Sequence, residues 1–186
     1  MDKVLIASGA EKGTVVLKNL LQSAGYTGVE SVLSASEARR KLINSAYQMV
    51  IINMPLADET GRELAFQIAE TDSAVLVIIK AGSEEIFGRF GTEKGIYVLT
   101  KPLNRQTFHD AVRYARSAQH RIMALKEKNR QLLKSLDELK VICKAKCVLV
   151  AEKGMTEEEA HHYIEKEAMN LRLTKRQIAE RILAVY

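Results

Sequence analysis

Five residues follow short apolar runs in the first hundred positions, and their types limit the chemistry that they support. They are Ser8, Gly9, Asn53, Lys80 and Lys101. Formation of an acyl phosphate at the end of such runs requires a carboxylate nucleophile and a metal held by further oxygens. These positions instead offer a hydroxyl, an amide that is a poor nucleophile, and two ammonium groups that repel a hard cation. We therefore predict neither phosphorylation nor a bound metal or cofactor here, although the two lysines would attract a small anion.

The apolar runs that precede these residues are expected to be the strands of one sheet. Helix-sized amphipathic segments separate them, a pattern that indicates βα units around a parallel sheet. We predict an α/β domain with five strands in a doubly wound order, whose chemical site lies outside the carboxyl ends of the strands. The runs cover residues 4–7, 29–33, 49–52, 74–79 and 96–99.

A long helix is predicted between Asn104 and Gly154, because no Pro or Gly interrupts the sequence there. Apolar residues from Phe108 to Leu139 alternate three and four apart, which is the a/d pattern of a coiled coil. One Asn at an a position favours a parallel pair of helices, so we predict a homodimer. Like charges at Arg121 and Lys126 would face each other across this seam, which leaves packing within the chain as the alternative. The seam residues are Ile122, Asn129 and Leu136 at a, and Leu125, Leu132 and Leu139 at d.

Two short helices are predicted after Gly154. Thr156 is followed three residues later by Glu159, and Thr174 by Gln177, and both pairs are capping-box signatures of a helix start. We expect the two helices to pack on the end of the long helix as a compact three-helix unit. Their inner stripes are predicted to be Ala160, Ile164, Ala168 and Leu171 in one helix, and Ile178, Ile182 and Val185 in the other.

The basic excess of the chain is C-terminal. The net charge is +5, and residues 121–186 hold 14 Lys and Arg against 10 Asp and Glu, compared with 14 against 13 in residues 1–120. Such an excess is compatible with a polyanionic partner and equally with a solvated surface of mixed charge.

The segments VLIAS, VIINMPLADETG, VLVIIKAG and YVLTKPLN make residues 1–118 resemble the two-component receiver domain, which has a flavodoxin-like fold. The resemblance places Asn53 where receivers carry the phosphoacceptor aspartate. It places the acidic pair of the family on Ser8 and Gly9, and its hydroxyl residue on Lys80. Only Lys101 before Pro102 stands as in the family. The resemblance therefore implies a pseudo-receiver that has lost its phosphorylation chemistry.

Residues 136–186 resemble the ANTAR family of RNA-binding antiterminators, and we assign residues 141–186 to this domain and residues 119–140 to the coiled-coil linker. Matching landmarks include Ala145, Gly154, the TEEEA run from Thr156, and Ala168 with Met169. The resemblance implies binding to tandem stem-loops in a bacterial messenger leader, which prevents a terminator hairpin from forming. Lys146 and Arg172 match the family pattern, and the other candidates are chosen by charge and location. The predicted RNA-binding residues are Lys144, Lys146, Tyr163, Lys166, Arg172, Lys175 and Arg176.

Two other functions remain open from the sequence: a DNA-binding response regulator, and a protein-binding signalling adaptor. An enzyme is not expected, because the sequence has no phosphate-binding glycine loop and no nucleophile with a matched base. The sequence shows no secretory leader and no membrane span, so we expect a cytoplasmic protein. Because Asn53 stands in place of the aspartate of the family, constitutive activity and control by another protein or a small ligand both remain open.

The cysteines and histidines do not predict a metal site. Cys143 and Cys147 are four residues apart without a second cysteine pair, and His161 and His162 are adjacent on a helix, about 100° apart. Neither spacing suits tetrahedral zinc. A disulfide is not expected in the reducing cytosol.

Overall fold

The computed structural model describes the backbone of residues 3–185 and their side chains except those of residues 84, 89, 90 and 92. Met1, Asp2 and Tyr186, at the outer ends of the predicted first and last domains, lie outside the described residues. The chain divides into two compact units, and the boundary falls between Ala124 and Leu125.

The N-terminal unit contains one parallel sheet in the order β2-β1-β3-β4-β5. All five predicted strands and the doubly wound order are confirmed. The middle strands β1, β3 and β4 are almost continuously apolar because helices cover both faces of a parallel sheet. The strands are β1 Lys3–Ser8, β2 Gly28–Val32, β3 Met49–Asn53, β4 Ala74–Lys80 and β5 Ile96–Lys101.

Two hydrophobic cores lie on opposite faces of this sheet, because successive side chains of a strand point to opposite sides. Leu5 of β1 belongs to one core, with helices α2 and α3, whereas Ile6 belongs to the other, with α1 and the start of α5. A 3₁₀ turn at Glu84–Ile86 precedes α4. The helices are α1 Glu11–Ser23, α2 Ala35–Asn44, α3 Arg62–Ala69, α4 Gly88–Glu93 and α5 Arg105–Lys153.

The long helix α5 confirms the predicted uninterrupted segment, but the first part of its apolar stripe does not belong to a seam. Phe108, Ala111 and Ala115 are buried in the second core of the N-terminal unit. They share this core with side chains of α1, β1, β3 and β4, so no second chain is needed to cover them. The exposed part of the stripe begins at Ile122.

The C-terminal unit consists of the last part of α5, α6 Glu157–Leu171 and α7 Lys175–Val185. Both predicted capping boxes are present: the Thr156 and Glu159 side chains each bond the other residue's backbone N–H. Thr174 and Gln177 do the same at α7. The inner stripes are confirmed except at Leu171 and Val185, which are exposed. Each is the last residue of its helix and lies beyond the reach of the small core. The core consists of Ala145, Leu149, Ala160, Ile164, Ala168, Ile178, Ala179 and Ile182.

None of the helices within residues 3–185 combines the length and the apolar content that a membrane span requires.

Candidate functional sites

The carboxyl edge of the sheet brings together the residues that the sequence singled out there. In the parallel register Ser8 of β1 lies beside Asn53 of β3, and Lys80 of β4 lies beside Lys101 of β5. Gly9 follows β1 directly. The fold therefore brings the five residues to one edge of the sheet.

A neutral hydrogen-bond chain occupies the centre of this edge. The Asn53 Nδ2 amide donates to Ser8 Oγ at 2.9 Å, and Ser8 Oγ donates to the Ala10 carbonyl oxygen at 3.1 Å. Asn53 is 8% exposed and Ser8 is fully buried. Asn53 Oδ1 is also buried, and no described residue forms a hydrogen bond to it. The side chain at position 53 is thus a packed amide and not a solvent-facing group.

Two glycines show how closely the backbone surrounds this amide. A Cβ at Gly13, in the first turn of α1, would lie 2.5 Å from Asn53 Nδ2 and 3.3 Å from Ser8 Oγ. A Cβ at Gly9 would lie 2.8 Å from the Pro55 carbonyl oxygen. The structure therefore has no room for an acidic side chain at Gly9 unless the loop after β3 moves.

The two lysines of the edge have different surroundings. Lys101 Nζ donates to the Met54 carbonyl oxygen at 3.0 Å, and partial burial lowers the pKa of its ammonium group. Lys80 is exposed, and no described residue forms an ion pair with it. An anion at this edge would therefore meet one solvated ammonium group and one that already bonds the backbone.

The nearby carboxylates already have partners within the fold. Asp58 accepts hydrogen bonds from the backbone N–H groups of Ala35, at 2.7 Å, and Ser36, at 3.0 Å, at the start of α2. These bonds, with one from the Ser36 hydroxyl, lower the pKa of Asp58 to about 2. Glu59 pairs with Arg39 at 2.9 Å. Among the described residues no group of three or more His, Cys, Asp or Glu side chains is arranged to hold a metal.

Three predicted RNA-binding cations form ion pairs inside the C-terminal unit. Lys146 of α5 lies 2.8 Å from Glu157 of α6, and this carboxylate raises the pKa of Lys146. Lys175 of α7 pairs with Glu165 of α6. Arg176 contacts Asp137 of α5 at 2.7 Å and Glu180 at 2.8 Å. These pairs join the three helices, so the charges of the three cations are partly neutralised within the fold.

The other three cations, Lys144, Lys166 and Arg172, are exposed. Within residues 3–185 none of them has a carboxylate partner. Arg172 ends α6 in the left-handed region, with φ of 53°. Such a backbone conformation is uncommon outside Gly and Asn. Arg172 therefore combines an accessible guanidinium with an unusual backbone position.

Tyr163 is half-buried and lines a groove together with two cations that the sequence did not single out. Lys153, at the end of α5, places its Nζ 5.0 Å from the centroid of the Tyr163 ring. Arg181 of α7 lines the same groove, whose volume is about 230 Å³. The sequence could have indicated Lys153, because it is the last residue before Gly154, where the long helix was predicted to end. Arg181 has no such signal, since only folding brings α7 beside Tyr163.

The predicted seam residues form a row of exposed apolar side chains on α5. Leu125, Leu132, Leu136 and Leu139 are between 54% and 68% exposed, and Ile122 is 48% exposed. Asn129 is exposed in the same row. Isolated exposed leucines are common in proteins, but five exposed apolar residues together with Asn129, at alternating spacings of three and four on one helix, form the kind of row that a helix partner would cover.

Two protein families match the chain, one on each side of the boundary between its two structural units. The response regulator receiver domain family matches residues 4–113, and the ANTAR domain family matches residues 130–183. The transcriptional regulatory protein PdtaR of Mycobacterium tuberculosis H37Rv is 28% identical over 182 residues, which are 97% of this chain and 89% of PdtaR.

Solved structures show the same fold. The signal receiver domain of an HD domain-containing protein from Pseudomonas fluorescens Pf-5 has a TM-score of 0.60 at 22% identity and covers 66% of this chain and 92% of that chain. The response regulator StyR has a TM-score of 0.69 at 18% identity and covers 100% of this chain and 99% of that chain. At sequence identities this low, the similarity shows a shared fold and not a shared function. The chain belongs to the response regulator receiver family and carries an ANTAR domain C-terminal to the receiver domain.

Proposed function

We propose that this protein is an RNA-binding regulator of transcription antitermination, a homodimer whose receiver domain takes no phosphate. The single observation that carries the proposal is the ANTAR match at residues 130–183. It covers the three-helix unit, where Lys144, Lys166 and Arg172 are exposed and have no carboxylate partner among the described residues. A relative of similar length is named as a transcriptional regulatory protein. We keep the predicted division into residues 1–118, 119–140 and 141–186 as part of this proposal.

The proposed RNA surface combines phosphate contacts with a place for a base. The three exposed cations supply charge that neutralises phosphates. The groove at Tyr163 presents an aromatic ring beside Lys153 and Arg181, an arrangement on which an unstacked loop base can stack. Lys146, Lys175 and Arg176 contribute less, because their partners already compensate much of their charge. The RNA is thus a stem-loop whose loop bases are accessible.

Binding to an RNA with two closely spaced stem-loops tests this function. We expect saturable binding that weakens between low and high salt. Arg172→Gln and Lys166→Gln should each lower the affinity by about three- to tenfold, and each should reduce the salt slope by about one. Lys12→Gln, at an exposed residue of α1, is the matched control and should leave affinity unchanged. Lys146→Gln should have a smaller effect than Arg172→Gln.

The competing functions predict different results in the same assay. A DNA-binding regulator would bind duplex DNA at least as tightly as the stem-loop RNA. A protein-binding adaptor would bind neither nucleic acid at low salt. Equal RNA affinity of the wild type and of both C-terminal variants would also contradict the proposed surface.

The proposed absence of phosphorylation is supported by the packing of the sheet edge. Asn53 is not a nucleophile, and Gly9 has no room for the acidic side chain that would help to hold a metal. We expect no covalent phosphate on the wild type after incubation with acetyl phosphate and Mg²⁺, and none on Asn53→Asp. A receiver with the complete acidic set, treated in parallel, is the positive control. A stoichiometric gain of about 80 Da in intact mass on either protein would contradict this proposal.

A receiver domain that takes no phosphate is either constitutively active or takes another input. As input we propose a protein or a small ligand that contacts the receiver domain, and we assign no catalytic role to any residue.

A further inference from the structure

Helix α5 has two different faces within the C-terminal unit. Ala145 and Leu149 are fully buried against α6 and α7, and Val141 and Val148 pack beside them. Cys143, only two residues before Ala145, is exposed. The three-helix core therefore covers one face of the helix and leaves the face of Cys143 open.

The open face continues the heptad repeat of the proposed seam. Asn129, Leu136, Cys143 and Val150 are each seven residues apart, so Cys143 and Val150 take the next two a positions. Val150 is 40% exposed. A repeat of seven residues on a single helix matches a second copy of the same helix, because a twofold axis then places like positions opposite each other. The covered residues take the c (Ala145), f (Val141 and Val148) and g (Leu149) positions, which lie on the other side of the helix from the a positions.

Lys146 would be the d position after Cys143, and its charge does not interrupt this face. Its side chain is only 17% exposed and turns to Glu157 of α6, 2.8 Å away. The ammonium group is thereby drawn toward α6 and paired. Little of the Lys146 side chain is therefore left for a partner helix, and the contact in this turn rests on the a position, Cys143.

We propose that Cys143 is a disulfide site that joins two copies of this chain, because the dimer seam runs on through the ANTAR unit. The inference rests on the proposed homodimer. In a parallel, in-register pair the two Cys143 residues face each other at an a position, where the Cα atoms approach closely enough for the 4.4–6.8 Å that a disulfide requires. Cys147 takes the flanking e position, which faces a g position of the partner and not the other Cys147.

The chemistry requires an oxidant and no further group from the protein. Two Cys143 thiols lose two protons and two electrons and form one S–S bond. Hydrogen peroxide accepts the two protons and the two electrons and is reduced to two molecules of water. The reducing cytosol keeps both thiols reduced under ordinary conditions, so the bond forms only on exposure to an oxidant. The product is a dimer that dilution does not dissociate.

Oxidation of the full-length protein with hydrogen peroxide, followed by non-reducing electrophoresis, tests the site. We expect a species of twice the chain mass in the wild type and in Cys147→Ser, and its loss in Cys143→Ser. The thiols of one dimer react within the complex, so a tenfold dilution that leaves the dimer intact should not change the rate constant of cross-linking. Cross-linking by random collisions between chains would become about tenfold slower. Thiol reduction should reverse the product.

Sedimentation of the reduced protein tests the homodimer separately from the in-register seam at Cys143. A dimer that forms no Cys143 disulfide, or that cross-links equally through Cys147, would overturn the in-register seam through the ANTAR unit and leave the proposed dimer intact. A reduced protein that is monomeric at micromolar concentration would overturn the dimer, and this inference with it. A dimer that cross-links through Cys143 alone supports both.

Discussion

Leu136→Asp is expected to convert the dimer into monomers. Each copy loses a leucine that the seam would bury, at about 2 kcal/mol or more, and gains a charge in an apolar contact. Both copies carry the change, so the dimer is destabilised by at least about 4 kcal/mol, which is roughly a thousandfold in the dissociation constant. Leu136 is 54% exposed within the single chain, so the fold of each protomer should be unaffected.

The measurement is sedimentation equilibrium combined with RNA binding. In the proposed complex, tandem stem-loops bind two linked units, and losing the second unit should lower the apparent affinity by roughly a hundredfold. Lys134→Asp is the matched control, because Lys134 is exposed on the same helix at an outward f position. It changes the charge more than Leu136→Asp does and should leave the dimer intact. If the Leu136→Asp protein sediments as the wild type does, the stripe is not the seam.

Gly13→Ala is expected to destabilise the N-terminal unit by about 1–3 kcal/mol, although alanine is normally favoured over glycine in a helix by about 1 kcal/mol. The reason is the 2.5 Å distance from the new Cβ to Asn53 Nδ2. The amide cannot retreat without breaking its bond to Ser8, and both residues are buried. In such a closely packed place, even one added methyl group forces the neighbouring side chains out of their preferred positions.

The sign should reverse when Asn53 is removed. In an Asn53→Ala background the nearest remaining atom is Ser8 Oγ, 3.3 Å from the Cβ, and Gly13→Ala should then be neutral or stabilising. Urea unfolding of the four proteins, followed by the fluorescence of tyrosines such as Tyr26 and Tyr47 that are buried in this unit, measures the coupling. Equal effects of Gly13→Ala in both backgrounds would mean that the Asn53 amide does not occupy the space over α1.

The sequence was sufficient for the features that depend on local pattern. Apolar runs such as 49–52 became strands because a strand buried on both faces requires continuous apolar residues. The capping boxes at Thr156 and Thr174 formed because their hydrogen bonds join residues three apart in the chain. The stripe from Ile122 stayed exposed, but its part from Phe108 to Ala115 packed on the sheet, since periodicity cannot distinguish a partner chain from the chain's own core.

The sequence by itself determined the chemical inventory of this protein: an asparagine at position 53, lysines at positions 80 and 101, and a basic C-terminal segment that contains the heptads. Only the tertiary structure decided which of those groups are available. Lys146, Lys175 and Arg176 are paired, whereas Lys144, Lys166 and Arg172 are exposed, because ion pairs between helices depend on distances in space. Likewise Gly9 and Gly13 exclude side chains only because folding brings loop backbone and the Asn53 amide within 3 Å of their missing Cβ atoms.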